Sequence, residues 1–268
     1  MESNKKYFEA NKFAWDQRTE VHVKSDFYNV EAFKNGASTL EPMVLDELKD
    51  VEGKTLLHLQ CHFGMDTLSF ARMGAKVTGV DLSPKSMEFA EKLSKECNIP
   101  ARFIESNVLT LTEKLDEKFD IVFTSFGAIC WLPNIDEWAA IVSHFLKPGG
   151  TIYLAEFHPY LYMWDWDSDK IMYPYFCKGK VFHEKAEGTY TDGDQGLSYD
   201  EYFWIHTISD VHTALQKNNI NIEFLHEFDY TPHECIAHLE KRAEREFVYK
   251  INGHAIPAVF SMKGIKRK

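Results

Sequence analysis

The feature that most constrains this chain is a pair of short apolar runs, one helix length apart, that each end in residues suited to a nucleotide. The first run, KTLLHLQCHFG, begins at Lys54 and ends in a turn at Gly64. The second, VTGVD, ends in Asp81, 17 positions after Gly64. This is the layout of a β-α-β unit, in which an acid at the tip of the second strand can accept hydrogen bonds from a ribose diol. The sequence therefore predicts an α/β sheet with a nucleoside site.

The turn after the first run lacks the glycines that a dinucleotide requires. Gln60, Cys61 and His62 stand where the backbone would have to approach a pyrophosphate. The pattern Gly-x-Gly-x-x-Gly makes room for that approach, and it is missing here. The unit therefore favours a nucleoside ligand without a phosphate bridge.

Two further segments extend the pattern: FDIVFTS, which begins at Phe119, and LKPGGTIYL, which begins at Leu146. With the turn and the strand-end acid, they resemble class I S-adenosylmethionine-dependent methyltransferases over roughly residues 40 to 160 and the C-terminal strands. The turn LHLQCHFG also resembles that of a small bacterial subgroup of the family. The family's first motif is acid-x-Gly-x-Gly-x-Gly. This chain departs from it at His58, Gln60 and His62 and keeps Gly64.

The resemblance implies transfer of a methyl group from S-adenosylmethionine to a small-molecule acceptor. Two alternatives stay open. A nicotinamide-dependent oxidoreductase also has a strand-end acid, although the altered turn and the LKPGG segment count against it. A catalytically silent module that only binds S-adenosylmethionine is the other, and the eroded first motif favours it.

Hydrophobic periodicity predicts strands that alternate with helices, which is typical of a doubly wound α/β sheet. We expect strands at 55–60, 75–80, 101–105, 119–124, 151–157, 220–230 and 255–265, and helices at 39–48, 65–73, from Ser83, 136–145 and 205–217. The resemblance implies that the last two strands form an antiparallel edge pair. The expected fold is a mostly parallel, seven-stranded, Rossmann-like methyltransferase sheet.

The alternation breaks after the fifth strand. Residues 158–204 are rich in aromatic residues and punctuated by glycines, which predicts an inserted cap of short strands and loops. Residues 1–36 are polar and aromatic without a strong period, and we expect one or two short helices that form an N-terminal lid. Residues 37–268 then form the methyltransferase domain. The 20 Phe, 12 Tyr and 6 Trp indicate either a core of large residues or an aromatic substrate chamber.

The resemblance places the cofactor contacts at the ends of strands one to four. The candidates are Gln60, Cys61, His62, Phe63, Gly64, Asp81, Leu82, Asn107, Val108, Ser125 and Phe126. Asp81, at an expected exposed strand tip, either binds the ribose hydroxyls or only caps the turn into the next helix. Asn107 either binds the adenine amine, with Val108 against the ring, or forms an Asx-turn. His58 is expected to be a satisfied core histidine.

Candidate catalytic and acceptor-binding residues lie in and around the cap. His158 follows strand five and is the best-placed general base, because an imidazole titrates near neutrality; the alternative is a capping or core imidazole. His206 is the second candidate and His22 the third. Trp131, Trp164 and Trp204 are expected to contact the acceptor. The segment HECIAH, residues 233–238, matches no zinc spacing, so we expect no metal.

Charge and cysteine content limit the partners. A net charge of −11 disfavours nucleic acid, because its phosphates would be repelled. Five cysteines without a Cys-x-x-Cys pair favour free thiols in a reducing compartment. The sequence has no secretory signal and no apolar run long enough to span a membrane. We therefore expect a cytoplasmic monomer or homodimer that acts on a small molecule.

Overall fold

The computed structural model of the chain describes residues 4–165, 170–193, 196–234 and 236–268. Two residues of the sequence interpretation, Trp166 in the predicted cap and Cys235 in the HECIAH segment, lie outside the described residues.

The main sheet has seven strands, labelled here in chain order. They are β1 (Thr55–Leu59), β2 (Lys76–Asp81), β3 (Arg102–Glu105), β4 (Phe119–Ser125), β5 (Leu146–Phe157), β6 (Ile220–Phe228) and β7 (Val259–Lys266). Their order across the sheet is β6-β7-β5-β4-β1-β2-β3. Strands β1 to β5 are parallel, and β7 runs antiparallel to both β5 and β6. The predicted doubly wound, mostly parallel seven-stranded fold is confirmed.

Seven helices flank the strands in the described part of the chain. They are α1 (Lys5–His22), α2 (Val30–Lys34), α3 (Pro42–Glu47), α4 (Met65–Arg72), α5 (Pro84–Glu96), α6 (Ile135–Phe145) and α7 (Ile208–Lys217). As predicted, α5 begins with Ser83 as N-cap: its side chain accepts a hydrogen bond from the amide of Ser86. None of the described helices is long and apolar enough to cross a membrane.

The N-terminal segment differs from the prediction of one or two short helices. It forms α1, a single helix of 18 residues, followed by the five-residue α2. The buried face of α1 carries Asn11, Arg18, Thr19 and His22 beside Ala14. Because that face is mostly polar, α1 lacks the apolar period by which a helix is recognised in sequence.

Alternate residues of the central strands enter two different cores. Leu57 packs with Trp138 of α6 on one face of the sheet. Leu56 packs with Phe70 of α4 on the other. Strands buried on both faces are typical of a parallel sheet covered by helices. Their carboxyl ends meet at one edge, which is where open α/β sheets bind ligands and where the predicted site residues lie.

Two excursions from the sheet reach this edge. Between β5 and α7, strands Phe182–Glu187 and Ser198–Phe203 pair in what we call the cap hairpin. Between β6 and β7, strands Glu240–Ala243 and Glu246–Val248 form the C-terminal hairpin. Helix α1 packs along the cap hairpin, where the side-chain amide of Asn11 donates to the Tyr202 carbonyl (2.7 Å) and accepts from the Tyr202 amide (2.8 Å).

Candidate active site

The turn between β1 and α4 keeps a left-handed backbone at three alternate residues. The φ angles are 58° at Gln60, 49° at His62 and 80° at Gly64. Residues other than glycine pay roughly 1–2 kcal/mol for this conformation. Gln60 and His62 therefore adopt a glycine-like backbone at a cost in stability, and such strain is concentrated at functional sites.

The side chains of this turn tie it to its surroundings. Gln60 donates from Nε2 to the Ala128 carbonyl (2.7 Å), in the loop after β4. Its Oε1 is buried and has no hydrogen-bond partner among the described residues. Cys61 is buried, and burial raises the pKa of its thiol well above the usual value, so it is not a thiolate. An unpaired buried acceptor beside a strained turn is consistent with a site that awaits a ligand.

His62 contacts helix α1 through a chain of hydrogen bonds. Its Nε2 lies 2.9 Å from Nδ1 of His22, and its Nδ1 lies 3.2 Å from Oγ of Ser86. His22 in turn places Nε2 2.7 Å from Oγ1 of Thr189, next to the cap hairpin strands. Burial lowers the pKa of His22 to about 3 and that of His62 well below its usual value. Both imidazoles are therefore neutral near pH 7.

Asp81 stands at the end of β2 and accepts a hydrogen bond from residues 60–64, which we call the cofactor turn after their predicted role. One oxygen accepts from the amide of His62 and the other from the amide of Ser83, each at 2.9 Å. The expectation of an exposed strand tip is wrong, because Asp81 is half-buried and burial raises its pKa to about 6. A carboxylate has about four acceptor positions, so Asp81 can accept further hydrogen bonds from a ligand's hydroxyls. Asp81 thus caps the turn and retains the capacity to bind a ribose.

The neighbouring strand ends supply an amide and apolar surface. Oδ1 of Asn107 accepts from the amide of Leu109 at 3.0 Å, so Asn107 forms the Asx-turn that the sequence left as the alternative. Val108 is buried behind it. At the end of β4, Oγ of Ser125 lies 3.3 Å from Nε2 of His58. As expected, His58 is a buried core histidine, and its Nδ1 bonds to Thr67.

One cavity of about 1210 Å³ opens along this edge. It is lined by all of the predicted cofactor residues: Gln60, Cys61, His62, Phe63, Gly64, Asp81, Leu82, Asn107, Val108, Ser125 and Phe126. The same cavity continues to an aromatic wall formed by Trp15, Trp131, Phe157, Tyr162, Trp164 and Tyr173. It exceeds the roughly 300–1,000 Å³ of a typical small-molecule pocket, and so has room for two ligands. The aromatic residues therefore line this cavity, which we call the chamber, as well as the hydrophobic core.

Three predicted site residues lie elsewhere. Both ring nitrogens of His158 are used by protein groups: Nε2 lies 2.9 Å from Glu227 of β6, and Nδ1 accepts from the Tyr160 amide. His206 is buried with Nε2 2.8 Å from the Leu132 carbonyl. Trp204 is buried with its ring edge-on to that of Tyr7 in α1, and its backbone amide donates to the Cys130 carbonyl, which lies outside the cap. Their side chains pack into the fold instead of lining the cavity, so their predicted roles are corrected.

A buried ion pair of the chamber wall is missing from the sequence interpretation. Arg18 of α1 lies 2.5 Å from Glu201 of the cap hairpin and donates from Nε to the Tyr199 hydroxyl at 2.7 Å. Its guanidinium stands over the rings of Trp15 (5.0 Å) and Trp131 (5.5 Å). The partners are 183 positions apart, so no local pattern could have revealed them.

Glu156, near the end of β5, holds the loop that follows β4. Its buried carboxylate accepts from the amides of Gly127, Ala128 (2.8 Å) and Ile129 (3.0 Å). Gln60 bonds to the same loop from the other side. The loop is therefore fixed between the cofactor turn and the chamber. The sequence feature that indicates this contact is an acid, Glu156, near the carboxyl end of a strand.

Comparison with known proteins gives a family match for the central part of the chain. Residues 56–150 match a family described as a methyltransferase domain. A ubiquinone biosynthesis O-methyltransferase of Proteus mirabilis is 25% identical over 157 residues, which are 52% of this chain and 64% of that protein. The chain spans less than two thirds of the length of the curated relatives it matches, and about half for several of them.

Solved structures match over more of the chain. An S-adenosylmethionine-dependent methyltransferase of Clostridium acetobutylicum has a TM-score of 0.58 at 14% identity and covers 96% of this chain and 99% of that one. Another, of Methanosarcina mazei, has a TM-score of 0.55 at 16% identity and covers 85% and 98%. At these identities the likeness shows the fold, which is the Rossmann-like methyltransferase fold.

Proposed function

We propose that this chain, whose residues 56–150 match the methyltransferase-domain family, transfers a methyl group from S-adenosylmethionine to a small-molecule acceptor. One observation carries the proposal: a single cavity joins the strand-end carboxylate of Asp81 to the aromatic wall around Trp131 and Trp164. A nucleoside-linked donor and its acceptor would meet in one enclosed space, as methyl transfer requires.

The residues at the sheet edge fit this cofactor. Asp81 would accept the ribose hydroxyls on its free lone pairs, and Leu82 and Val108 offer apolar surface to the adenine. The Asn107 amide nitrogen remains a donor on that side. S-adenosylmethionine would supply a methyl group activated by its sulfonium. Transfer of this methyl group to the acceptor would break its bond to sulfur and release S-adenosylhomocysteine. The cofactor calls for no phosphate-binding turn, in agreement with the residues present at 60 and 62.

The far half of the cavity suits a small, partly apolar acceptor. Trp131, Trp164 and Tyr173 give it flat apolar walls, and the Arg18–Glu201 pair gives it a polar boundary. The protein's role is to align the acceptor with the donor methyl and to exclude water. Proton removal does not pass through His158, because its ring nitrogens are occupied.

The finer proposals concern the setting. We infer a cytoplasmic monomer or homodimer that binds no nucleic acid. The net charge of −11 supports this, as do the free thiols of Cys61, Cys97, Cys130 and Cys177. Size-exclusion chromatography with light scattering would determine the assembly.

Two measurements test the proposed function. Calorimetry should detect binding of S-adenosylmethionine and no binding of a nicotinamide dinucleotide, and the reverse result would contradict the proposal. A screen of small phenols, amines and carboxylates should then reveal an acceptor that releases S-adenosylhomocysteine. Binding of the cofactor without turnover across a broad screen would favour the silent binding module.

A further inference from the structure

The inward face of the cap hairpin carries two glutamates directly opposite each other. Glu184 of the first strand pairs with Glu201 of the second, and both line the cavity. The pairs on either side of them are apolar or aromatic: Phe182 with Phe203, and Ala186 with Tyr199. Like charges directly opposite each other destabilise a pair of strands. The two glutamates therefore lower the stability of the hairpin, and the fold alone gives no reason for them.

Glu201 keeps an unfilled acceptor at the cavity. The residue is only 9% exposed, and its Oε2 bonds to Arg18 at 2.5 Å. Its other oxygen, Oε1, accepts no hydrogen bond from the described residues. Burial raises the pKa of this carboxyl in spite of the Arg18 guanidinium. A buried carboxylate oxygen without a partner is unfavourable, so a donor group on a ligand in the cavity would supply what the fold leaves out.

The charges around the two glutamates favour a cation over an anion. Tyr173 donates its hydroxyl to Glu184, and burial and this bond raise the pKa of Tyr173. The charges of Asp165 and Glu201 lie near enough to raise it further. Three acidic side chains therefore surround this hydroxyl, against the one guanidinium of Arg18. Among the described residues, no lysine lines the cavity.

The aromatic wall suits the same kind of ligand. Trp131, Trp164 and Tyr173 line the cavity, and the face of an aromatic ring attracts a cation. A metal ion does not fit, because no group of three or more His, Cys, Asp or Glu side chains in the described part of the chain could hold one. The complementary ligand is an organic ammonium on a partly apolar skeleton.

We propose that the methyl acceptor is an amine, which binds as an ammonium ion at Glu201 and Glu184 and against the rings of Trp131 and Tyr173. The inference rests on the proposed function and narrows the class of its acceptor. Glu201 is then a catalytic residue, and Arg18 is the positioning residue that holds its carboxylate.

The reaction follows from these contacts. The ammonium gives a proton to Oε1 of Glu201, and the lone pair left on nitrogen forms the bond to the methyl carbon. The C–S bond breaks with its electron pair on sulfur, so the products are a methylated ammonium ion and S-adenosylhomocysteine. The proton on Glu201 passes to solvent when the products leave.

Ligands that share a skeleton and differ in charge test the proposal. With S-adenosylhomocysteine bound, calorimetry at pH 7 compares benzylamine with benzyl alcohol and benzoate, and 2-phenylethylamine with 2-phenylethanol and phenylacetate. The amines should bind about tenfold to a hundredfold more tightly than the alcohols, the gain expected for hydrogen bonds to a charged group. The carboxylates should bind most weakly.

Glu184→Gln removes one of the two charges with little change in shape. It should weaken amine binding by about tenfold and leave alcohol binding unchanged. The matched control is Asp200→Asn, next to Glu201 on the same strand but on the outward face, where Asp200 is exposed and lies 2.8 Å from His183. The control should keep the preference for amines, and thermal melting should show that both variants are folded.

Three results would overturn the proposal. They are tighter binding of the carboxylates, amines that bind no better than their alcohols, and a preference for amines that is unchanged in Glu184→Gln. Failure of S-adenosylhomocysteine to bind the unaltered protein would instead contradict the proposed function, on which the inference rests.

Discussion

Nε2 of His62 lies 2.9 Å from Nδ1 of His22, so the cofactor turn and the N-terminal helix share a hydrogen bond between two neutral imidazoles. His22 also contacts Thr189, so the cap hairpin takes part in the same series of hydrogen bonds. Three segments that are distant in sequence therefore meet at the turn between β1 and α4. We infer that α1 and the cap hairpin stabilise this strained turn.

His22 should make stability depend on pH. Its folded pKa of about 3 lies below the ordinary 6.5, so its contribution is complete above pH 6.5 and is lost as the pH falls toward 3. His22→Gln can form hydrogen bonds but does not titrate. Over pH 6.5 to 4, its unfolding free energy should change less steeply than that of the unaltered protein, by at most about 1.4 kcal/mol per pH unit. Parallel curves from denaturant unfolding would show that His22 is not buried as described.

Gly64, the single glycine of residues 60–64, should be difficult to replace. A Cβ at this position would lie 2.7 Å from the ring of Phe103 and 3.1 Å from Cβ of Ala90, and φ is 80°. Gly53 has a similar φ of 73° with nothing within 4 Å, so Gly53→Ala is the matched control for backbone strain. Gly64→Ala should cost roughly 1–3 kcal/mol more than the control, because overpacking is added. Equal costs in urea unfolding would refute the close approach.

The Arg18–Glu201 pair should behave as a buried pair. Glu201→Gln leaves the guanidinium without its counter-charge and should cost about 3–5 kcal/mol, whereas the double variant Arg18→Met with Glu201→Leu should recover much of the loss. The exposed pair between Lys12 of α1 and Glu105 of β3 is the control, at about 0–1 kcal/mol. A double-mutant cycle with no coupling at Arg18 would count against the pair as a clamp between α1 and the cap hairpin.

Trp164 and Trp204 should give opposite phenotypes. Trp164 lines the chamber, so Trp164→Ala should reduce turnover or acceptor affinity while cofactor affinity changes little. Trp204 is buried outside the cavity, and its replacement by Ala should cost about 3–5 kcal/mol of stability. Steady-state kinetics and thermal melting of both variants separate the roles. A Trp164→Ala protein that loses cofactor binding would contradict the division of the cavity.

The sheet was predictable because its strands are buried on both faces and appear as short apolar runs such as TLLHL at β1. The shared position of Gly64, Asp81 and Asn107 on one cavity was also predictable, since parallel strands end together at one edge. The altered turn was also informative: the backbone at Gln60 and His62 stays left-handed where the family has glycine.

The residues predicted to act on the acceptor were less predictable in their placement. His158 and His206 have side chains that can act as bases, but the direction in which each points depends on tertiary packing. Helix α1 was missed as one long helix because its buried face is polar, with Arg18 and His22 satisfied by distant partners.

The most direct test of the central claim is the pH dependence of S-adenosylhomocysteine binding to the unaltered protein and to Asp81→Asn. Ribose hydroxyls donate hydrogen bonds, so they favour the ionised carboxylate, and the raised pKa of about 6 predicts that affinity falls as the pH drops through 6. Asp81→Asn should bind about tenfold to a hundredfold more weakly at pH 8 and lose most of this pH dependence. Asp16→Asn, which removes a neighbouring charge that contributes to the raised pKa of Asp81, is the control: it should keep the affinity at pH 8 and move the fall in affinity to lower pH. Unchanged affinity and an unchanged pH profile in Asp81→Asn would contradict the account.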